Sequence, residues 1–204
     1  MQFGSSPPPA APTTNYRKYR SANPLVRRLI ERFLSRVVAL TAALVPQRIV
    51  DLGCGEGIVG AALRERLPFA FEYRGIEINP VALELARRHH PGISVELGDL
   101  FDRETSPGWA DLAVCIEVLE HMADPGAAVA CIRRWTARDA LVSVPWEPYF
   151  RLGSLLRGNH LRSLGHHPEH LQQFNGSSLH ALLAAHFDQV RIVRCFPWLI
   201  AVVR

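Results

Sequence analysis

Arg48-Ile49-Val50-Asp51-Leu52-Gly53-Cys54-Gly55-Glu56-Gly57 is the stretch on which the reading of this chain turns. Its first five residues read as a short buried strand. Gly53, Gly55 and Gly57 then crowd into a turn, and Ile58 to Leu67 have helical composition. A strand, a glycine turn and a helix in that order let the backbone approach a ligand closely. They also aim unpaired helix N–H groups at it, a geometry suited to a nucleotide-like cofactor.

Two parses compete. Gly55-Glu56-Gly57-Ile58-Val59-Gly60 fits the dinucleotide fingerprint G-x-G-x-x-G. The longer pattern, a hydrophobic strand followed by Asp-x-Gly-x-Gly-x-Gly with Asp51 directly before the turn, resembles motif I of the class I S-adenosylmethionine (SAM) methyltransferases. Acidic residues further along the chain separate the parses. A dinucleotide site needs one acid at the end of the second strand, and a SAM site has a further acid after the third. Phe71 to Glu77 reads as a second strand ending in an acid. Ile93 to Leu97 alternates as a third and stops at Gly98-Asp99-Leu100. Both acids are present.

The resemblance implies roles. Asp51, Gly53 and Gly55 form the cofactor cradle. The two oxygens of Glu77 accept from the ribose hydroxyls, with Ile78 beside it. Asp99 accepts from the adenine amino group and the Leu100 N–H meets a ring nitrogen. Asp102 is a weaker candidate for the same task, and Glu117 completes the cofactor-binding set. The implied cofactor is SAM, with S-adenosylhomocysteine as product.

The 204 residues suit one domain with a sizeable core. Hydrophobic content of 48% and charged content of 21% are ordinary for a globular protein. The net charge of +4 is mild, and arginine supplies nearly all the cations, Lys18 being the single lysine. This permits an anionic partner or membrane surface without demanding one. Cys54, Cys115, Cys131 and Cys195 are widely spaced, with no C-x-x-C. They read as buried thiols in a reducing compartment. No apolar run reaches membrane-spanning length and no signal pattern opens the chain, so the expected location is cytoplasmic, with peripheral contact at the inner membrane face permitted.

Residues 1–22 read as a flexible lead, rich in proline at its start, and 23–204 as a single domain. Asn23-Pro24 is a helix start, and Leu25, Val26, Leu29, Ile30, Phe33, Leu34, Val37 and Val38 recur at helical spacing. Asn79-Pro80 caps another helix. Ala110 to Ile116 is a fourth strand, and a helix runs from near Pro125 to about Trp135. Ala140 to Val144, Asp188 to Arg194 and Trp198 to Val203 are the last strands. The resemblance implies a three-layer α/β sandwich of seven mostly parallel strands, the last antiparallel between the fifth and sixth. The short Phe196-Pro197 link suits a hairpin there.

Chemistry is expected at the strand ends. Glu117, Glu120 and His121 stand at the end of the fourth strand, where one helical turn would converge them. His121 could serve as a general base. Alternatively Glu117, Glu120, His121 and His170 could hold a divalent metal such as Mg²⁺. This cluster resembles the metal site of the ubiquinone-biosynthesis O-methyltransferases and of the small-RNA 3′-end ribose 2′-O-methyltransferases. Glu-x-x-Glu-His also occurs in the superfamily without metal, shaping the cofactor pocket. Residues 146–174 mix aromatic and apolar residues with arginines and end in Gly165-His166-His167-Pro168-Glu169-His170-Leu171-Gln172-Gln173-Phe174. The stretch reads as a substrate lid. Its His-x-x-x-Phe resembles the segment that supplies a histidine in the ubiquinone-type enzymes, which makes His170 a catalytic candidate with His121.

The expected activity is SAM-dependent methyl transfer to a small or lipid-like molecule, at oxygen. An RNA 3′-end ribose 2′-O-methyltransferase is one alternative, disfavoured by the near absence of lysine and of an RNA-binding appendage. A non-catalytic SAM-fold partner protein is another, opposed by the intact glycine turn and both acids. Acceptor identity and oligomeric state stay open.

Overall fold

The computed structural model describes residues 21–101, 107–147 and 171–204. Helix α1 spans Pro24–Leu44. Asn23 Oδ1 accepts the N–H groups of Leu25 and Val26, Pro24 fills the first turn, and the helix stops at left-handed Val45. Its apolar stripe, Ile30, Phe33, Leu34, Val37 and Leu40, is buried, and Arg27, Arg28, Arg32 and Arg36 face outward. The first βαβ unit comes next: β1 Arg48–Leu52, α2 Ile58–Arg66 and β2 Glu72–Glu77. After it stand α3 Pro80–His89, β3 Val95–Leu97 and β4 Ala110–Ile116. A short 3₁₀ turn at Leu119–His121 leads to α4 Pro125–Trp135, β5 Thr136–Pro145 and α5 Gly176–Ala184. The chain finishes with β6 Val190–Cys195 and β7 Trp198–Val203.

The seven strands order as β3-β2-β1-β4-β5-β7-β6. β1, β2, β3, β4 and β5 pair in parallel, and β7 runs antiparallel between β5 and β6. The expected sandwich and hairpin are therefore present. Both faces of the sheet are covered. Ile49, Leu112 and Val114 pack with Phe33 and Leu63 from α1 and α2. Val50, Ala113 and Cys115 pack with Ile132 and Leu183 from α4 and α5. A strand buried on both faces must be apolar nearly throughout, as β1 and β4 are. Each fully buried Leu or Ile contributes roughly 1.5–3 kcal/mol. All four cysteines are free and buried.

Some boundaries differ from expectation. β3 covers only Val95–Leu97, because the turn through Pro91 and Gly92 takes up the residues before it, although the Ser94 carbonyl already accepts from Gly75 N–H. β5 starts at Thr136, directly after α4, where the Thr136 hydroxyl donates to the Asp139 carbonyl. β6 starts two residues late, at Val190, although the backbones of Gln189 and Arg204 already pair beside it. The sequence reading assigns no range to α5. Its signal is nonetheless local: Asn175 and Ser178 form a reciprocal capping box ahead of Leu179 and Leu183.

Candidate active site at the carboxyl ends of the strands

The parallel strands bring their carboxyl ends to one edge, and there the order reverses between β1 and β4, the usual place for a ligand crevice. Gly53, Gly55 and Gly57 all have positive φ, at 75°, 53° and 77°. Two of these glycines differ in their surroundings. A Cβ on Gly57 would strike the Ile93 side chain at 2.6 Å, so that position is closed by packing. A Cβ on Gly55 would meet nothing within 4 Å. The backbone there borders open space, as a cofactor cradle requires.

Glu77 locks this turn. One of its carboxylate oxygens accepts Gly55 N–H at 2.8 Å, and the other accepts Asn79 N–H at 2.7 Å. The residue is buried, so both bonds are made out of bulk water and hold the end of β2 against the turn. Each oxygen keeps a further lone-pair direction for a hydroxyl donor. Beyond Glu77, Ile78 is 66% exposed, and across the strand pair Leu97 is 60% exposed. Both aliphatic side chains are bare at this edge of the sheet. Asp99, next along, is exposed. Its Oδ1 accepts Phe101 N–H, while Leu100 is buried and its carbonyl accepts the Trp135 indole N–H.

Asp51 lies deeper. It is 2% exposed and accepts the Tyr73 hydroxyl at 2.8 Å. Burial pushes its carboxyl up to about 7, against the pull of the Tyr73 hydrogen bond and with a further push from the Glu77 charge. Tyr73 in turn rests on Gly60, where an added Cβ would come within 2.3 Å of the Tyr73 ring. Gly60, the last glycine of the G-x-G-x-x-G run, is thus explained by helix–sheet packing. Sequence reasoning misses Tyr73 because nothing local marks a tyrosine in β2 as the partner of an acid in β1.

Glu117 comes directly after β4 with φ at 55°, a left-handed conformation that costs a non-glycine residue of order 1 kcal/mol or more. It lines the same cleft as Asp51, Gly53 and Gly55. Its carboxylate accepts the Trp198 indole N–H at 2.6 Å. The residue therefore stands outside the helical turn expected to unite it with Glu120 and His121. Glu120 is 1% exposed, and its carbonyl accepts the N–H groups of Leu171 and Gln172. His121 is half-buried on the 3₁₀ turn. Among the described residues no three His, Cys, Asp or Glu side chains are placed to hold a metal ion. His170, Asp102 and residues 148–170 of the expected lid lie outside the described residues.

Residues 16–186 match a family described as a methyltransferase domain. The chain belongs to that family. It is a SAM-dependent methyltransferase domain, and its family implies that SAM and S-adenosylhomocysteine bind. The domain is 31% identical over 98 residues to a ubiquinone biosynthesis O-methyltransferase of Pseudomonas aeruginosa (strain LESB58), covering 46% of this chain and 41% of that protein. It is 30% identical over 129 residues to the enzyme of the same description from Thiobacillus denitrificans (strain ATCC 25259 / T1), covering 60% and 50%. The match thus spans about half the length of these curated relatives, or less. Among solved structures, the methyltransferase domain of bacterial CtHen1 superposes with a TM-score of 0.69 at 22% identity, covering 86% of this chain and 98% of that one. Magnesium protoporphyrin IX methyltransferase from Synechocystis PCC 6803, solved with bound S-adenosylhomocysteine, gives 0.66 at 16% identity, covering 94% and 95%. At these identities the structures speak for the fold. No helix among the described residues is long and apolar enough to cross a membrane.

Proposed function

We propose that this methyltransferase domain transfers the methyl group of SAM to an oxygen of a small or lipid-like molecule. The observation that carries the cofactor half is the open space beside Gly55, whose N–H is held by the buried Glu77 carboxylate. In this reading Asp51, Gly53 and Gly55 cradle the amino-acid end of the cofactor. Glu77 takes the ribose hydroxyls, Ile78 and Leu97 flank the base, and Asp99 with the Leu100 N–H reads its polar edge. The oxygen assignment draws on the similarity to the O-methyltransferases above.

Once bound, SAM supplies a methyl group already activated by the sulfonium. The chain's own work is to align the acceptor, keep water out and take a proton. His121 and His170 are the proposed proton acceptors. The metal alternative would draw on Glu117, Glu120, His121 and His170. Its support is the sequence resemblance, and a chelator separates the two. Residues 146–174 are proposed as the acceptor-recognising segment of a single domain covering 23–204.

The test is calorimetry with S-adenosylhomocysteine, then labelled SAM with a panel of hydroxylated aromatic and prenylated acceptors. Micromolar binding together with label transfer to an oxygen is expected. A folded protein that binds no S-adenosylhomocysteine overturns the cofactor half, and transfer to nitrogen or carbon alone overturns the acceptor half.

A further inference from the structure

A second recess opens on the same edge, at the β5–β7–β6 end of the sheet. It is a groove of about 960 Å³ lined by Trp146, Asn175, Ser177, His180, Ile192 and Arg194. Trp146 stands just past the end of β5 and Arg194 lies near the end of β6. Their neighbours Pro145 and Cys195 are both register partners of Trp198, whose indole N–H holds Glu117 in the cofactor cleft. The groove, at the ends of β5 and β6, and the cleft, at the ends of β1 and β4, therefore lie along one edge of the sheet.

The Arg194 guanidinium sits over the Trp146 ring, 5.6 Å from its centroid. It is exposed toward the groove, and among the described residues no carboxylate pairs with it. Arginine remains charged at any working pH and presents a flat fork that suits carboxylate or phosphate. Stacking on an aromatic face fixes that fork in advance, so less freedom is lost when an anion arrives. Ser177 and His180 add side-chain hydrogen-bonding groups on the facing helix, and Ile192 is an apolar wall. The helix end itself is not the attraction. The N–H groups of Ser177 and Ser178 already donate to Asn175 Oδ1.

We propose that this groove binds the methyl acceptor by an anionic group, a carboxylate or phosphate, with Arg194 as counter-charge and Trp146 and Ile192 against the acceptor's apolar body. The assignment rests on the methyltransferase reading above and narrows its acceptor to an organic anion.

The test titrates the full chain and its Arg194→Gln variant with benzoate, phenyl phosphate, neutral benzamide and inorganic phosphate, monitored by NMR shifts of the tryptophan indoles. S-adenosylhomocysteine is titrated on the same samples by calorimetry. Benzoate or phenyl phosphate should bind the wild type, exceed both benzamide and inorganic phosphate, and weaken about tenfold or more in Arg194→Gln, the scale of one charge-assisted contact. S-adenosylhomocysteine affinity should be equal in both proteins, which also certifies that the variant is folded. Equal anion affinity in the two proteins, or none in either, overturns the proposal. So does inorganic phosphate matching phenyl phosphate, since the groove would then take a bare anion. Failure of S-adenosylhomocysteine to bind either protein would instead count against the cofactor reading and leave the anion result to be read by itself.

Discussion

The indole N–H of Trp198 donates to the carboxylate of Glu117 at 2.6 Å, across 81 residues of sequence. Trp198 is 3% exposed and packs against Phe33 of α1 with ring centroids 4.7 Å apart. The first helix thus braces an acid whose backbone is held left-handed beside the cleft. Trp198→Phe keeps a ring against Phe33 and removes the donor. A hydrogen bond to a charged group is worth about 1.5–3 kcal/mol, so S-adenosylhomocysteine affinity and turnover should both fall, with a modest drop in melting temperature. Calorimetry that finds affinity unchanged would show that Glu117 needs no such brace.

Gly55→Val tests the cradle. The branched side chain would stand in the open space beside the turn, at a φ of 53° that disfavours it. Loss of S-adenosylhomocysteine binding in a protein with a native circular dichroism spectrum is expected. Glu77→Ala should weaken binding by ~1–3 kcal/mol and loosen the turn, because the N–H groups of Gly55 and Asn79 lose their acceptor together.

Asp51 predicts a pH dependence. Its folded pKa of about 7 lies above the ordinary value of 3.8, so the folded chain holds a proton that the unfolded chain has released. This contribution to stability is fully present below about pH 4. It is lost as pH rises toward 7 and absent above it. Asp51→Asn has no such titration. The difference in melting temperature, variant minus wild type, should therefore increase from pH 5 to pH 8. A flat difference across that range would mean that the carboxyl is ionised throughout.

Gly60→Ala would force a methyl group into the Tyr73 ring at 2.3 Å and push that ring away from Asp51. Overpacking of this kind costs about 1–3 kcal/mol. Tyr73→Phe in the same background should recover little, because ring carbon Cζ, as close as the hydroxyl at 2.3 Å, stays in place. Urea denaturation of the two variants measures both effects.

His170→Ala should lower turnover by ~10²–10⁴-fold with cofactor affinity retained, and His121→Ala should act in the same direction. A chelator that abolishes wild-type activity, with recovery on adding Mg²⁺, would assign these histidines with Glu117 and Glu120 to a metal. Indifference to the chelator, together with a pH–rate limb that disappears in the alanine variant, would assign a base. Full activity in both variants would remove the histidines from the mechanism.

Much of the fold and of the cofactor cleft is legible in the sequence because it is local. Asn23-Pro24 and Asn79-Pro80 cap helices with their own side chains. Gly53, Gly55 and Gly57 adopt the left-handed conformations that their residue type favours. The acid at the end of β2 sits where the strand's last residue must sit. What escapes is contact between distant segments. Nothing around Trp198 marks it as the partner of Glu117, and nothing around Tyr73 points to Asp51. The turn after β4 misleads for a related reason. Glu-x-x-Glu-His has helical spacing, but Glu117 N–H donates to the Ser143 carbonyl of β5, which keeps that residue with the sheet.

The backbone knot around Glu120 has an evolutionary consequence. Its carbonyl takes the N–H groups of Leu171 and Gln172, while Glu147 N–H donates to the Phe174 carbonyl. The two flanks of residues 148–170 are therefore pinned to the scaffold independently of what lies between them. Changing the length of a segment whose two flanks are already anchored costs the rest of a fold little. Anchored flanks of this kind let the interval between them be exchanged as a cassette. Insertions, deletions or a segment transplanted from another methyltransferase can be selected there for a new acceptor while the cofactor apparatus is inherited unchanged.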